Sequence, residues 1–494
     1  MEKVLLATLA ALRSSGENPE QPVLNITLKP HSGADYQIKY VDVIYGLENP
    51  QVSADVPLVA LPLNVASIPC SELSEKGVVA WDEAGPLTLN ETDGVGRLGP
   101  EKQWRPDRQL IGNVALAYRF YPRVVPEDYR SSPYFDFRNE QYGANGAGLT
   151  FLMAPEEKTY TVNLRWDLSE MPADAWAMTL QGKGDISYVG TPQDFRFTYY
   201  QVGKIQEFTF AEDSRFSMYL LSDPLFDPKE ISAKLLDLYA YMTKFFSDEA
   251  LEYKVLFRKD PFKLSGGGTA LPGGFMYGYS EAVRPTPETA LDTLAHEMAH
   301  NWPKMEDLGG EGTWFNEGTA EFYSLVLPYR AGITDLDFVA RQISKRSTRY
   351  FFNPYIEYAN TDLYKLYWKD RRSQEFPYGR GFFYLVDTDM KIRRKSAGAR
   401  CLDNIVLELV ARRKSGKTVK VADWEELIEK ELGPAGVEEF RAIANGKVME
   451  PNPDWFDGAF TFRRGQVLHR LSQTMIEGYI WEKRPDVSED NVQL

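Results

Sequence analysis

Two textures divide the chain. Up to about residue 205, apolar and polar positions alternate in short runs rich in β-branched and aromatic residues, such as Tyr36 to Ile44, Val114 to Tyr121 and Tyr160 to Leu164. Turn-forming stretches separate them, including a Gly- and Asn-rich loop at 139–147. Period-two alternation broken by Gly, Pro and Asn predicts strands, so residues 20–205 read as an antiparallel β domain. Beyond 205 the period lengthens. Leu235, Leu236, Leu238, Tyr239, Met242 and Phe246 recur at helical spacing within Asp227 to Phe246, and this stripe reads as core. Val255 to Arg258 reads as a strand, and the Gly266-Gly267-Gly268 run precedes a second candidate at 273–277. Helical patterns return after Tyr378 through Asp387 and Lys391, at Leu402 to Arg413 and at Trp424 to Leu432. Residues 448–494 are less regular, with a charged end expected to fray. The predicted organisation is a leader or short helix at 1–19, a β-rich domain at 20–205, a mixed block at 206–395 and a helical C-terminal region at 396–494, an α+β chain.

The most specific local signal lies on a helix whose limits can be argued residue by residue. Thr286 is a candidate N-cap, Pro287 fits the first helical position, and Glu288 places a carboxylate in the first turn. Leu291, Leu294, Ala295, Met298 and Trp302 follow at helical spacing, and Pro303 disfavours continuation. Inside this helix stands His296-Glu297-Met298-Ala299-His300, which takes two of the four histidines in the chain; the others are His31 and His469. Residues four apart share a helix face, with Cβ atoms roughly 5–6 Å apart. Two imidazoles so placed can bind one Zn²⁺ at about 2.0–2.1 Å, with Glu297 as general base. A core helix with two hydrogen-bonded histidines is the structural alternative. A third ligand can come from 313–323, where Glu317 and Glu321 lie one turn apart; either could complete a His₂Glu set. Gly309, Gly310 and Gly312 read as the turn between the helices, with Glu306, Asp307 and Glu311 as solvated loop charges.

His296 to Trp302 followed by Trp314-Phe315-Asn316-Glu317-Gly318-Thr319-Ala320 resembles the gluzincin metallopeptidases. Their pattern is HExxH, a Trp two residues on, and a downstream Asn-Glu-Gly whose glutamate binds zinc. The resemblance implies Glu317 as third ligand, with Asn316 and Glu321 supporting the site from behind. Pro377-Tyr378-Gly379-Arg380-Gly381-Phe382 resembles the family's Pro-Tyr-x-Lys-Gly-Phe segment, whose tyrosine donates to the tetrahedral oxyanion, and so implies that role for Tyr378. The run from about 205 to 450 resembles the glycyl-aminopeptidase branch, and Tyr329 to Ile333 fits it too. The implied enzyme has a thermolysin-like catalytic domain over 206–395, one Zn²⁺ per chain and an aminopeptidase-like action. Two departures stand out. Residues 301–316 make a shorter link than in the larger aminopeptidase group, which a loop tolerates. Gly273-Gly274-Phe275-Met276-Tyr277 takes the place of the substrate-binding strand, with Gly273, Gly274 and Phe275 expected to pair with an extended peptide. Met276 stands where those enzymes hold the free α-amine with a glutamate, and a thioether is only a weak acceptor. Glu281 and Glu321 are the candidate substitutes.

Composition narrows the partners. With 56 Lys+Arg against 71 Asp+Glu, the net charge of −15 argues against nucleic acid or an anionic membrane surface. No apolar run reaches the ~20 residues of a spanning helix. At the N-terminus Glu2 offsets Lys3, so the short apolar stretch lacks a clearly basic lead-in, and a soluble cytoplasmic location is expected ahead of the alternative, secretion behind a cleaved signal. Cys70 and Cys401 read as buried thiols, although a disulfide stays open. The expected partner is a peptide or small-molecule substrate; oligomeric state is not encoded legibly. Two other functions remain: a zinc hydrolase of epoxides or esters, as the more distant resemblance to the leukotriene-hydrolase group permits, and a binding protein with a vestigial site.

Overall fold

A computed structural model describes residues 2–14, 21–50, 52, 56–125, 133–211, 213–261, 267–307, 310–367, 369–468, 474–489, 492 and 494. Gly266, Gly309, His469 and positions 15–19 of the predicted leader lie outside the described residues. The chain divides into two compact units: residues 1–228 with 252–284, and residues 229–251 with 285–494.

The first unit is built on strands, as the alternation predicts. Val23–Ser32 pairs antiparallel with Ile38–Leu47, which pairs antiparallel with Val114–Phe120. One exception to the antiparallel expectation is Tyr160–Trp166, which runs parallel to Val23–Ser32. Every second residue of Val23–Ser32 turns inward, so Leu24, Ile26 and Leu28 join Val41, Val43, Tyr45, Leu116 and Tyr118 in one core. On the outer face, helix α1 (Glu2–Ser14) lays Leu5 and Leu9 on Ala115 and Ala117. A short helix, α2 (Pro192–Arg196), starts at Thr191, which caps it with Asp194 in a reciprocal box.

A third large sheet in this unit has the order Gln206–Thr209, Phe216–Leu220, Tyr253–Lys259, Gly274–Tyr279, Gly267–Leu271. Its central strands are parallel and almost wholly buried, as in Tyr253–Lys259 with only its last residue partly exposed. At its end a buried ionic group closes the sheet. Arg258, wholly buried, donates to Asp136 Oδ1 at 2.9 Å, Asn145 Oδ1 at 2.7 Å and the carbonyl of Asn145 at 2.8 Å. Arg138 and Asp260 form a second buried ion pair beside it. His31 belongs to this unit as a structural residue, 3.0 Å from Asp42 and packed on Tyr40.

The second unit is mainly helical: α3 (Pro228–Phe245), α4 (Pro287–Ala299), α5 (Thr313–Arg330), α6 (Leu336–Tyr350), α7 (Asn360–Leu366), α8 (Arg371–Lys395), α9 (Leu402–Lys414), α10 (Val421–Leu432) and α11 (Pro434–Ala444). The C-terminal part is helical through Ala444, as the pattern predicts. The stretch that reads as less regular then forms an antiparallel hairpin, Phe460–Leu468 with Met475–Lys483. The hairpin is held on α6 by hydroxyls: Ser344 Oγ accepts from the Trp481 backbone N–H at 2.8 Å, and Ser347 Oγ donates to the Tyr479 carbonyl at 3.1 Å. Phe462 and Trp481 pack ring on ring at 4.6 Å, so the hairpin is stabilised by tertiary contacts that no local period announces. Both cysteines are free, and burial pushes the Cys70 thiol up to about 12. No helix among the described residues is long and apolar enough to cross a membrane.

Asp136→Ala is expected to destabilise the chain by about 3–5 kcal/mol, because it leaves the buried Arg258 without its carboxylate. Urea unfolding of wild type and variant reads this directly. A loss of about 0.5 kcal/mol, the scale of a surface substitution, would show that the remaining oxygens suffice.

Candidate active site

The candidate site is assembled inside the second unit from α4, α5, α6 and α8. Helix α4 begins at Thr286, whose hydroxyl accepts from the Thr289 N–H at 3.2 Å, with Pro287 at its first position. It ends sooner than expected. Ala299 is its last residue, His300 is the C-cap in helical conformation, and Trp302 lies beyond. His300 still sits one turn after His296 on the same face, and the two Nε2 atoms are 3.2 Å apart. Trp302 anchors the exit: its indole stacks on Phe246 at 4.6 Å and its N–H donates to Asp248 at 2.8 Å. The guanidinium of Arg413 then donates to the carbonyls of Asn301 and Trp302.

Helix α5 brings Glu317 to the histidines. Its Oε2 lies 3.4 Å from His296 Nε2 and 3.5 Å from His300 Nε2. One donor atom from each of the three residues falls within 4.8 Å of the others. Asn316, the preceding residue, pins the intervening loop. It accepts from the Met305 N–H at 2.7 Å and donates to the Met305 carbonyl at 3.1 Å.

Glu321, one turn along α5, does not join this triad. It lies behind His296, with Oε1 3.5 Å from Nδ1, so the ring is held between two carboxylates. Arg346 Nε lies 2.6 Å from Glu321 Oε2, and Arg349 pairs with the other oxygen. Arg346 also reaches Asp292 at 3.0 Å and Ser324 at 2.9 Å. These two arginines of α6 carried no sequence signal of their own. Only tertiary packing shows that a buried carboxylate awaits them.

Tyr378 on α8 stacks its ring on His296, with centroids 5.5 Å apart and planes within 7°. The Arg349 guanidinium lies 5.7 Å from the same ring.

Charge follows burial and neighbours. Burial raises the Glu317 carboxyl, but the positive charge of His300 and His296 beside it outweighs burial and holds the group well below the usual carboxylate range. Burial also opposes ionisation of Glu321, yet Arg346 and Arg349 bring it down to about 2. For His300 burial favours the neutral ring, and Glu317, seconded by Glu297, reverses this and raises it. Tyr378 is pushed far above its usual value by burial first and by the negative charge of Glu317 next, so its hydroxyl keeps its proton. The charge of Glu297 acts on both His300 and Tyr378, which places it beside the same cluster.

The donor set fits a cation. Glu317 Oε2 is buried and makes no hydrogen bond, a costly state for a carboxylate oxygen unless a positive ion answers it. Two imidazoles and one carboxylate are the ligand set of a catalytic zinc site, which keeps a fourth position open. A carboxylate behind a ligand imidazole is the common supporting arrangement.

The residues expected to bind substrate are placed in the first unit. Strand Gly274–Tyr279 pairs with Tyr253–Lys259 on one side and with Gly267–Leu271 on the other. The expectation that Gly273, Gly274 and Phe275 add a peptide strand is therefore corrected, because strand addition needs unpaired backbone groups. Among the described residues Gly267–Leu271 ends the sheet on that side. Met276 is wholly buried in the core with Leu256, Tyr219 and Met178.

No protein-family model matches the chain, and no curated protein does. Solved structures do. The aminopeptidase N family protein from Idiomarina loihiensis superposes with a TM-score of 0.68 at 15% identity, over 90% of this chain and 79% of that one. The M1 zinc metallopeptidase from Deinococcus radiodurans gives 0.51 at 15% identity, over 87% and 94%. A mutant of a Deinococcus radiodurans M1 zinc metallopeptidase, solved with a Tyr-Ser-Ala substrate, gives 0.50 at 15% identity, over 87% and 96%. The chain thus has the α+β fold of the M1 zinc metallopeptidases.

The ligand assignment is checked by elemental analysis. Wild type is expected to carry one zinc per chain, and His296→Ala/His300→Ala none. Glu321→Gln should keep the metal but weaken it by about 10–100-fold in chelator competition, since it removes the charge that orients His296. Full zinc occupancy in the double alanine variant would sink the assignment.

Proposed function

We propose that the chain is a zinc-dependent peptidase in which His296, His300 and Glu317 hold the metal, Glu297 is the general base and Tyr378 the oxyanion donor. The observation that carries this reading is the convergence of the three donors within 4.8 Å around a buried carboxylate oxygen without a hydrogen bond. A fold shared with M1 zinc metallopeptidases supports it. Bound zinc would supply Lewis acidity and lower the pKa of water from 15.7 to roughly 7.

The chain's own residues do the rest. Glu297 takes the proton of the attacking water and returns it to the leaving amine nitrogen. Tyr378, held protonated by burial, donates its hydroxyl hydrogen to the oxygen that gains charge in the transition state. Glu321 keeps Nδ1 of His296 facing away from the ligand side, so that Nε2 serves the metal.

Recognition of a free amine lacks a dedicated carboxylate in this reading. Met276 is buried, and both candidate substitutes are engaged. Glu281 lies 2.8 Å from Lys259 and 3.6 Å from Arg284. Glu321 is held by Arg346 and Arg349. The same feature favours a second reading, an ester or epoxide hydrolase with the same zinc set.

Hydrolysis of Tyr-Ser-Ala, its N-acetyl form, a simple ester and an epoxide by zinc-loaded protein separates these. The proposal expects both peptides to be cleaved with similar kcat/KM. A strict demand for the free amine would return the search to an anchoring carboxylate, and turnover of ester or epoxide alone would favour the second reading.

In the same assay Glu297→Gln should keep zinc and lose at least about 10²-fold in kcat. Tyr378→Phe should lose ~10²–10³-fold in kcat with little change in KM. Near-native turnover in either variant removes that residue from the mechanism.

A further inference from the structure

The three residues after Tyr378 each fix helix α8 to a different neighbour. Gly379 lies against α6, where a Cβ would come within 2.9 Å of the backbone of Arg349 and Tyr350. Gly381 lies against α5, where a Cβ would overlap the Trp314 carbonyl oxygen and sit 2.7 Å from Gly318 Cα. The contact is reciprocal: a Cβ on Gly318 would sit 2.6 Å from the Gly381 backbone. Gly318 directly follows the ligand Glu317, so this glycine pair sets how closely the tyrosine helix approaches the ligand helix.

Between the glycines stands Arg380, only 1% exposed. Its guanidinium donates to Asn360 Oδ1 at 2.8 Å and to the Ile356 carbonyl at 2.9 Å, and lies 4.3 Å over the Phe376 ring. No carboxylate among the described residues pairs with it, and its Nε is buried without a partner. A buried charge with no counter-ion is expensive, and an apolar side chain of similar volume would fill the same space at less cost. What an apolar residue cannot do is hold two separated oxygens with a planar fork. Those oxygens belong to the segment that opens α7. That segment packs on the loop between α4 and α5, where a Cβ on Gly310 would meet Asn360 and Tyr364 within 2.9 Å.

We propose that Arg380 is a positioning residue for Tyr378. Together with Gly379 and Gly381 it clamps the turn of α8 that follows the tyrosine to α6, α5 and the start of α7, and so fixes the ring on His296. The catalytic consequence rests on the reaction proposed above; the clamp itself does not.

The experiment has two arms. In the first, kcat and KM on Tyr-Ser-Ala are measured for Arg380→Met and Arg380→Lys, alone and combined with Tyr378→Phe. Misplacing a catalytic group by an ångström costs about 10²-fold, so Arg380→Met should lower kcat by that order while KM and zinc content hold. Lysine keeps the charge but not the fork, and should rescue only in part. In the Tyr378→Phe background Arg380→Met should have almost no further effect, because both changes act through one hydroxyl. Multiplying losses would overturn the proposal. In the second arm 3-fluorotyrosine is placed at position 378 and its ¹⁹F resonance is followed in Arg380→Met and in the milder Asn360→Ala. The resonance should shift and broaden in both. An unchanged resonance overturns the clamp whatever the enzyme hydrolyses. A moved resonance in a protein that cleaves none of the peptides supports the clamp and overturns the reaction instead. Should Arg380→Met fail to fold, Arg380→Lys and Asn360→Ala carry both arms.

Discussion

Two carboxylates one turn apart on α5, both taken out of water, set the terms for the second unit. An ionised carboxylate in a protein interior is tolerable only with positive partners or strong donors around it. Glu321 is answered by Arg346 and Arg349, which ties α6 to α5. Glu317 faces His296 and His300, which ties α4 to α5, and the oxygen between the two rings makes no hydrogen bond. His296 stands between the two acids and transmits the orientation of one to the other. The helix contacts and the candidate chemistry are therefore consequences of one electrostatic requirement.

Close backbone approach supplies what charge does not. Helices α5 and α8 meet where Gly318 and Gly381 leave no room for a Cβ, and this meeting lies one residue from Glu317 and three from Tyr378. The tyrosine ring then lies against the His296 ring and near the guanidinium of Arg349. Burial keeps its proton in place, so a group that is a weak acid in water becomes a fixed donor. The first unit shows the same logic in a structural setting, where Arg258 is buried among Asp136 and Asn145 and nothing there suggests a reaction.

Much was legible from local pattern. Period-two alternation located the strands around 36–44 and 160–164, because one face of each is buried and the other is less so. The start of α4 was written in Thr286 and Pro287, since capping is a matter of neighbouring residues. The pairing of Gly274–Tyr279 on both sides was not legible, because a strand's own residues do not say whether it lies inside a sheet or at its rim. The hairpin at 460–483 was missed for a related reason: its strands are stabilised by hydroxyls and rings of α6 and its neighbours.

By itself the sequence determined which residues have the right chemistry and which share a helix face. His296 and His300 must face one way because a helix repeats every 3.6 residues, and Glu317 and Glu321 must share a face on the next helix for the same reason. It could not choose between the two glutamates without a resemblance, since both satisfy the spacing. The tertiary structure separates the two, by docking the arginines of α6 on Glu321 and setting Glu317 against the histidines. It also decided the burial of Arg380, a charged residue that is wholly enclosed in the fold. Local geometry follows from bonds along the chain; which charge meets which across helices follows only from how the helices pack.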